Sequence, residues 1–179
     1  DAIIANAPSP AERPFLGIGA HGEAAHRAAD GNAPPEIFVW KTIADPFAGR
    51  ITLFRVVSGA IKSDSPVLNK TRDTTERVGS LQLLQGKTPA AVPEIHAGDL
   101  GAVAKLKDTL TNDTLGERSD PISFPKIEFP EPVLAYAIEP RTRGDEEKIS
   151  TSMHRLEEED PSIHYSRDPQ THELLLSGQ

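Results

Sequence analysis

The chain of 179 residues carries 19 Lys+Arg against 27 Asp+Glu and is 37% hydrophobic, which fits one large or two small domains. Its formal net charge of -8 gives no support to non-specific nucleic-acid binding through bulk positive charge. The absence of cysteine excludes disulfides, thiolate zinc sites and cysteine nucleophiles, and no apolar run approaches the roughly 20 residues that a membrane-spanning helix needs, so we expect no membrane partner.

The first segment, residues 1–35, is rich in Ala, Gly and Pro and has little apolar periodicity. Its early prolines prevent a long helix at the start of the chain. The stretch 17–22 fits G-x-G-x-x-G to the letter, but that pattern binds a pyrophosphate only between a strand and a helix, and residues 23–29 are too few for such a helix. We therefore predict a linker over residues 1–35, flexible at its glycines and partly extended along a neighbouring domain.

Residues 36–122 change to short β-branched and aromatic runs separated by turn residues. The first two runs, residues 37–43 and 51–57, flank the turn signals Asp45-Pro46 and Gly49. Further short strands are predicted at residues 60–62, 65–69, 76–81, 94–95 and 100–106. Many short strands without a convincing helix indicate an antiparallel sandwich or barrel, and closure into a barrel is favoured because it removes edge strands.

Charge and proline content change near residue 123. Residues 36–122 carry equal numbers of basic and acidic side chains, whereas residues 123–179 are strongly acidic. Prolines at 125 and 130 accompany the change, as in an extended connector between two packed units. We predict a linker over residues 123–131 and a second unit over residues 132–179.

The second unit predicts a β-α-β-β order, with a strand over 133–138 and a hairpin of strands 163–167 and 173–177. A helix begins at Asp145 and ends at Asp160-Pro161. Its apolar face carries Ile149, Met153 and Leu156. This order is the first two-thirds of a ferredoxin-like βαββαβ unit, so the fold class is mainly β with an α+β part. We expect an open sheet edge beside the first strand, leaving the unit mobile or stabilised by dimer contacts.

Two further stretches imitate nucleotide-binding motifs. Gly86-Lys87-Thr88 resembles the end of a phosphate-binding loop, but Leu81 stands where that motif demands glycine and Pro89 obstructs the helix that must follow. Residues 69–73 nearly match N-K-x-D, with the aspartate one residue late. We therefore predict no nucleotide or cofactor site in this chain.

Metal and acid-base sites are equally unsupported. Of the six histidines, only His164 and His172 could approach each other, across the second hairpin, and a metal site usually needs three or four ligands. The acidic run 157–160 predicts a solvated helix end rather than a catalytic group. We predict no metal site and no catalytic residue.

Several blocks, in the same order, resemble translation elongation factor G. Three are similar to its domain II: KTIADPFAGRITLFRVVSG at 41–59, AGDLGAV at 97–103 and TNDTL at 111–115. Three more are similar to the start of its domain III: EPV at 131–133, IEP at 138–140 and LEEEDP at 156–161. The resemblance covers nearly the whole chain, most loosely residues 11–35. DAII at 1–4 and PSP at 8–10 look like the join from the GTPase domain, and SGQ at 177–179 looks like the start of the family's S-G-x-G-x-x-H-L-E segment.

The resemblance implies a cytoplasmic, ribosome-dependent GTPase that promotes translocation, whose GTPase domain, with its GTP and magnesium, would precede Asp1. This piece would be a non-catalytic docking and relay module, a translation-factor barrel followed by an incomplete domain III. Family members place domain II against small-subunit ribosomal RNA. Carried over, the candidate phosphate contacts are Arg72 and Arg77, with Lys87 behind them.

Arginines elsewhere have other expected roles. Arg50 would fix the turn before it or face a neighbouring domain, including the missing GTPase domain of the same chain. Arg141 and Arg143 could face the ribosome from domain III or lie in a solvated loop.

Alternatives remain beside this interpretation. The stretch LQGK at 84–87 differs from the Met-His-Ala-Asn run expected in the main group, which suggests an elongation factor G-like paralogue whose role is less central or different. Ribosome recycling rather than translocation is the alternative role considered for such a paralogue. A stand-alone barrel interaction protein is the other alternative, disfavoured because the second unit is incomplete. The release-factor and ribosome-rescue branches share the barrel, and the continuous domain III blocks favour elongation factor G over them.

Overall fold

The computed structural model describes residues 2–86, 88–142 and 144–178. Its helices are α1 (Ala2–Asn6) and α2 (Glu146–Glu159), with a 3-10 turn at Pro10–Glu12. The strands before the connector are β1 (Phe15–Ile18), β2 (Ala24–Arg27), β3 (Glu36–Asp45), β4 (Gly49–Ser58), β5 (Ala60–Lys62), β6 (Pro66–Asn69), β7 (Thr74–Arg77), β8 (Leu81–Gln85), β9 (Thr88–Val92), β10 (Glu94–His96), β11 (Leu100–Ala104) and β12 (Thr114–Gly116). The strands after it are β13 (Leu134–Ile138), β14 (His164–Arg167) and β15 (Leu174–Gly178).

The first unit is an antiparallel barrel, as predicted. Its main sheet has the order β7-β6-β12-β3-β4-β11-β8-β9, and β5 pairs with β10. Since β7 continues directly into β8 through residues 78–80, the sheet curls back around one core. The fully buried core side chains include Ile37, Val39, Phe54, Val56, Leu81 and Leu115. Alternation along β3 sends Ile37 and Val39 into this core and Phe38 to the opposite face.

The second unit has the predicted β-α-β-β order, which the structure confirms. Its sheet is antiparallel in the order β13-β15-β14, so β13 is an edge strand among the described residues. Leu134 and Tyr136 on β13 are 55% and 68% exposed. Stabilisation of this edge by dimer contacts stays a prediction.

The predicted linker over residues 1–35 requires a correction. Strands β1 and β2 form an antiparallel hairpin, and Gly22, with φ of +83°, lies in its turn. Phe15 packs against Phe38 and Phe124, with ring centroids 6.1 Å and 5.3 Å apart. The glycine-rich stretch is therefore part of a hairpin held by aromatic contacts with the barrel, which local periodicity does not reveal.

The predicted strand over 76–81 is also corrected, because β7 and β8 are separate strands. Besides β1 and β2, two strands were not predicted, β9 and the three-residue β12. Pro89 argues against a strand, yet β9 pairs only with β8, and an edge strand tolerates a proline because one side of it needs no hydrogen-bond donors.

Candidate functional site

Arg72 lies in the turn between β6 and β7, where it is anchored to the barrel. Its Nε donates a hydrogen bond of 2.7 Å to the Asp113 carboxylate, and the two side chains are 40% and 3% exposed. The same carboxylate oxygen accepts hydrogen bonds from the Asn69 side chain at 2.8 Å and from the Leu110 N–H at 2.9 Å. Asp113 therefore fixes the turn while leaving part of the Arg72 guanidinium in solvent.

Arg77 lies at the other end of β7, opposite Pro66 in the β6–β7 pairing. Its side chain is exposed, and it forms no ion pair with the residues that the structure describes. Arg72 and Arg77 are five positions apart, a span of at most about 18 Å for an extended chain. The structure thus puts both arginines on one hairpin, while the Lys87 prediction lies outside the described residues.

Lys70, in the same basic stretch, is occupied by an internal partner. Its Nζ donates to both oxygens of the Glu36 carboxylate, at 2.9 Å and 2.8 Å, and the Glu36 side chain is fully buried. Burial raises the pKa of Glu36 to about 7, although the hydrogen bonds and charge of Lys70 oppose the rise. Lys70 is therefore turned toward a buried acid and adds little to the exposed charge.

Arg50 follows the tight turn between β3 and β4. The Asp45 carboxylate accepts hydrogen bonds from the N–H groups of Ala48 at 2.6 Å and Phe47 at 2.8 Å, which hold its pKa below the ordinary value. The Arg50 side chain extends from the barrel to the second unit. Its guanidinium pairs with the Glu158 carboxylate on α2, with Nε at 3.2 Å from Oε2. Its Nη1 donates to the Lys107 carbonyl at 2.6 Å.

The other members of this contact are not predicted by the sequence pattern. The Thr42 hydroxyl, on β3, donates to the backbone carbonyl of Glu158. A cleft of about 590 Å³ lies beside the contact, between the β3–β4 hairpin, the loop after β11 and α2. The acidic run 157–160 is therefore not simply a solvated helix end. The one feature of the sequence that could have indicated this contact is that the last turn of α2 has no basic residue of its own.

The other sequence features considered above, the phosphate-loop look-alike, the domain III arginines and the candidate metal ligands, lie in turns, strands and bends. Gly86 lies in the β8–β9 turn and Pro89 lies in β9, so no helix follows that would allow this stretch to hold a phosphate. Arg141 lies in an exposed bend, and Arg143 lies outside the described residues. Within residues 2–86, 88–142 and 144–178, no three His, Asp or Glu side chains gather as a metal site would require. Nor does a helix in that part of the chain have the length and apolar character to cross a membrane.

The architecture is a β-barrel followed by a βαββ unit, and comparisons with known proteins specify the class and the family: both units match domains of a translation factor. Residues 34–118 match the model of elongation factor G domain 2, and residues 129–179 match that of elongation factor G, domain III. The chain belongs to the elongation factor G family. Neither match is to a GTPase domain.

Among solved structures, a protein from Thermus thermophilus is 30% identical to this chain, with a TM-score of 0.70. The match covers 83% of this chain and 22% of that protein. This chain therefore spans about a fifth of the length of that relative.

Proposed function

We propose that this chain is the domain II–III part of a ribosome-dependent translational GTPase that promotes translocation in the cytoplasm. The observation that carries the proposal is the pair of elongation factor G modules in the family's order. GTP and magnesium would be held by the GTPase domain of the longer protein, since the described residues offer no phosphate-binding loop. This part would dock on the ribosome and transmit changes of position from one domain of the longer protein to another.

The docking surface that we propose is the β6–β7 hairpin, with small-subunit ribosomal RNA as its partner. Phosphate contacts position a protein on RNA without reading its bases, so a few exposed arginines suffice despite the acidic net charge. Two observations support this hairpin: Arg77 is exposed, and Arg72 is held in place by Asp113. A side chain that is already anchored loses less conformational entropy when it binds.

The test is ribosome binding by the full-length protein with Arg77→Ala, measured over a range of salt concentrations. We expect weaker binding and a flatter dependence of log K on log salt, because one phosphate contact contributes roughly 0.7 to 0.9 to that slope. Arg167→Ala is the matched control, since Arg167 is also exposed but lies on β14. An unchanged slope for Arg77→Ala would exclude Arg77 from the docking surface.

Ribosome recycling is the second candidate, and the LQGK stretch at 84–87 favours it. The two functions separate in a reconstituted system with the full-length protein. Movement of messenger RNA by one codon would support translocation, whereas subunit splitting without that movement would support recycling.

A further inference from the structure

The residues at the C-terminal end of α2 are unfavourable for the last turn of a helix. Glu157, Glu158 and Glu159 occupy the last turn, which contains no basic residue, and Asp160 follows. This end carries the negative pole of the helix dipole, where acidic side chains are destabilising. The last carbonyls of a helix also lack partners within it. Among the described residues, Leu156 is the one member of this last turn whose carbonyl has a backbone partner, the N–H of Asp160 at 2.8 Å.

The barrel supplies what α2 lacks. The Thr42 hydroxyl donates to the Glu158 carbonyl, which has no acceptor role inside the helix. The Arg50 guanidinium pairs with the Glu158 carboxylate and brings a positive charge to the negative pole. Lys41 adds a further positive charge beside Asp160, whose pKa is lowered mainly by hydrogen bonds from Ser162.

These barrel groups are oriented by contacts that do not involve α2. The Thr42 N–H donates to the Thr111 hydroxyl at 3.1 Å, and Thr42 is almost completely buried. Arg50 is held by the carbonyl of Lys107. The acceptor groups of α2 therefore meet donors that are already in position.

The connector does not itself fix the second unit. Asn112 exchanges hydrogen bonds with the backbone of Ile127, at 3.1 Å and 2.8 Å, and this ties the chain to the barrel at that residue. Between there and β13, residues 128–133 form neither helix nor strand. The orientation of the second unit is thus set chiefly where α2 meets the barrel.

We propose that Thr42 and Arg50 act together as a C-terminal cap for α2, supplied by the other domain. The last turn of α2 then forms when the second unit docks on the barrel and unwinds when it leaves, so docking and helix formation are one event. Thr42 and Arg50 are positioning residues in this proposal. It does not depend on the proposed ribosomal function.

Hydrogen exchange of the full chain, followed peptide by peptide by mass spectrometry, tests the cap. In Arg50→Gln and in Thr42→Val, we expect amides 156–160 to exchange roughly five- to tenfold faster, the order expected for a lost cap and a lost dipole interaction. Amides of β4 and β11 should be unchanged, which also shows that the barrel has folded. Arg155→Gln is the control, because Arg155 lines the same cleft but forms no ion pair with the described residues, and it should leave these rates unchanged.

A second variant tests whether Arg50 stabilises the last turn of α2 as a cap or only attaches the second unit to the barrel. Glu159→Lys gives α2 a basic residue of its own in its last turn, so adding Arg50→Gln to it should accelerate exchange of amides 156–160 by about twofold or less. Unchanged exchange in Arg50→Gln and Thr42→Val would overturn the proposal. A uniform rise across barrel and helix would overturn it as well, because these residues would then support only the barrel.

Discussion

The barrel and the βαββ unit differ sharply in how much they bury. The barrel encloses a dozen buried apolar side chains in one cluster and seals a second, smaller cluster with Phe15, Phe38 and Phe124. Among the described side chains of residues 132–178, none reaches that level of burial. Because the hydrophobic free energy scales with buried apolar area, the barrel carries most of the stability of this chain.

The polar groups show the same contrast. In the barrel, buried carboxylates such as Glu36 and Asp113 have several short hydrogen bonds each. In the second unit, no described carboxylate is fully buried: Glu157 accepts a hydrogen bond from the Tyr165 N–H within the unit, and Glu158 pairs with Arg50 of the barrel.

The largest effect that separates the two units is expected from one leucine in each. Leu81→Ala should lower the free energy of unfolding by about 2–5 kcal/mol, because Leu81 is fully buried and its truncation leaves a cavity. Leu156→Ala should change it by less than about 1 kcal/mol, because Leu156 is 37% exposed. Urea unfolding followed by the fluorescence of Trp40, the single tryptophan, measures both. Equal losses would show that one continuous core spans both units.

The next effect concerns the buried carboxylate of Glu36. Its pKa in the folded chain is about 7, against an ordinary value of 4.5, so between these pH values the native state keeps a proton that the unfolded state has released. The free energy of unfolding should therefore fall as pH rises from 4.5 to 7, by about 3 kcal/mol, and its Glu36 contribution should be level outside that window.

Glu36→Gln removes this titration, so the test compares the pH slope of the variant with that of the native chain. Absolute stability is not the readout, because Lys70 loses its charged partner in the variant. A variant with the same slope as the native chain between pH 4.5 and 7 would show that Glu36 is ionised throughout.

The strands that sequence predicts best are those whose own residues decide them. The β-branched runs of β3 and β4 around Asp45 and Gly49 predict a hairpin, and the polar–apolar period of α2 predicts a helix. Strand β1 is not predicted from local sequence because its stabilising contacts, from Phe15 to Phe38 and Phe124, join residues far apart in the chain. Local pattern does not encode such contacts.

The same limit applies to the candidate site: local sequence predicts some of its features, and contacts between distant residues decide the others. The position of Arg50 after a tight turn allows the expectation that it faces a neighbour, but the identity of Glu158 as its partner depends on how α2 docks. From sequence, Arg72 is one exposed cation among several. Its anchor, Asp113, lies on a loop 41 positions away and emerges only in the folded chain.

The smallest effect compares two aspartate–arginine pairs within the barrel unit. Asp113→Asn should cost about 1–2 kcal/mol, because it removes the charge from a buried acceptor of three hydrogen bonds, one of them from Arg72. Asp73→Asn should cost at most about 0.5 kcal/mol, because Asp73 and Arg118 are both largely exposed. Asparagine also tolerates the positive φ at position 73, so the substitution adds no backbone strain.

The same Trp40 transition measures both variants, and Arg118→Gln checks the exposed pair from its other side. A loss for Asp73→Asn as large as that for Asp113→Asn would mean that the turn, rather than burial, gives these pairs their strength. Arg72 would then be held no more firmly than any surface arginine. Arg72 would therefore not be held in position before binding, while Arg77 would keep its place on the proposed docking surface.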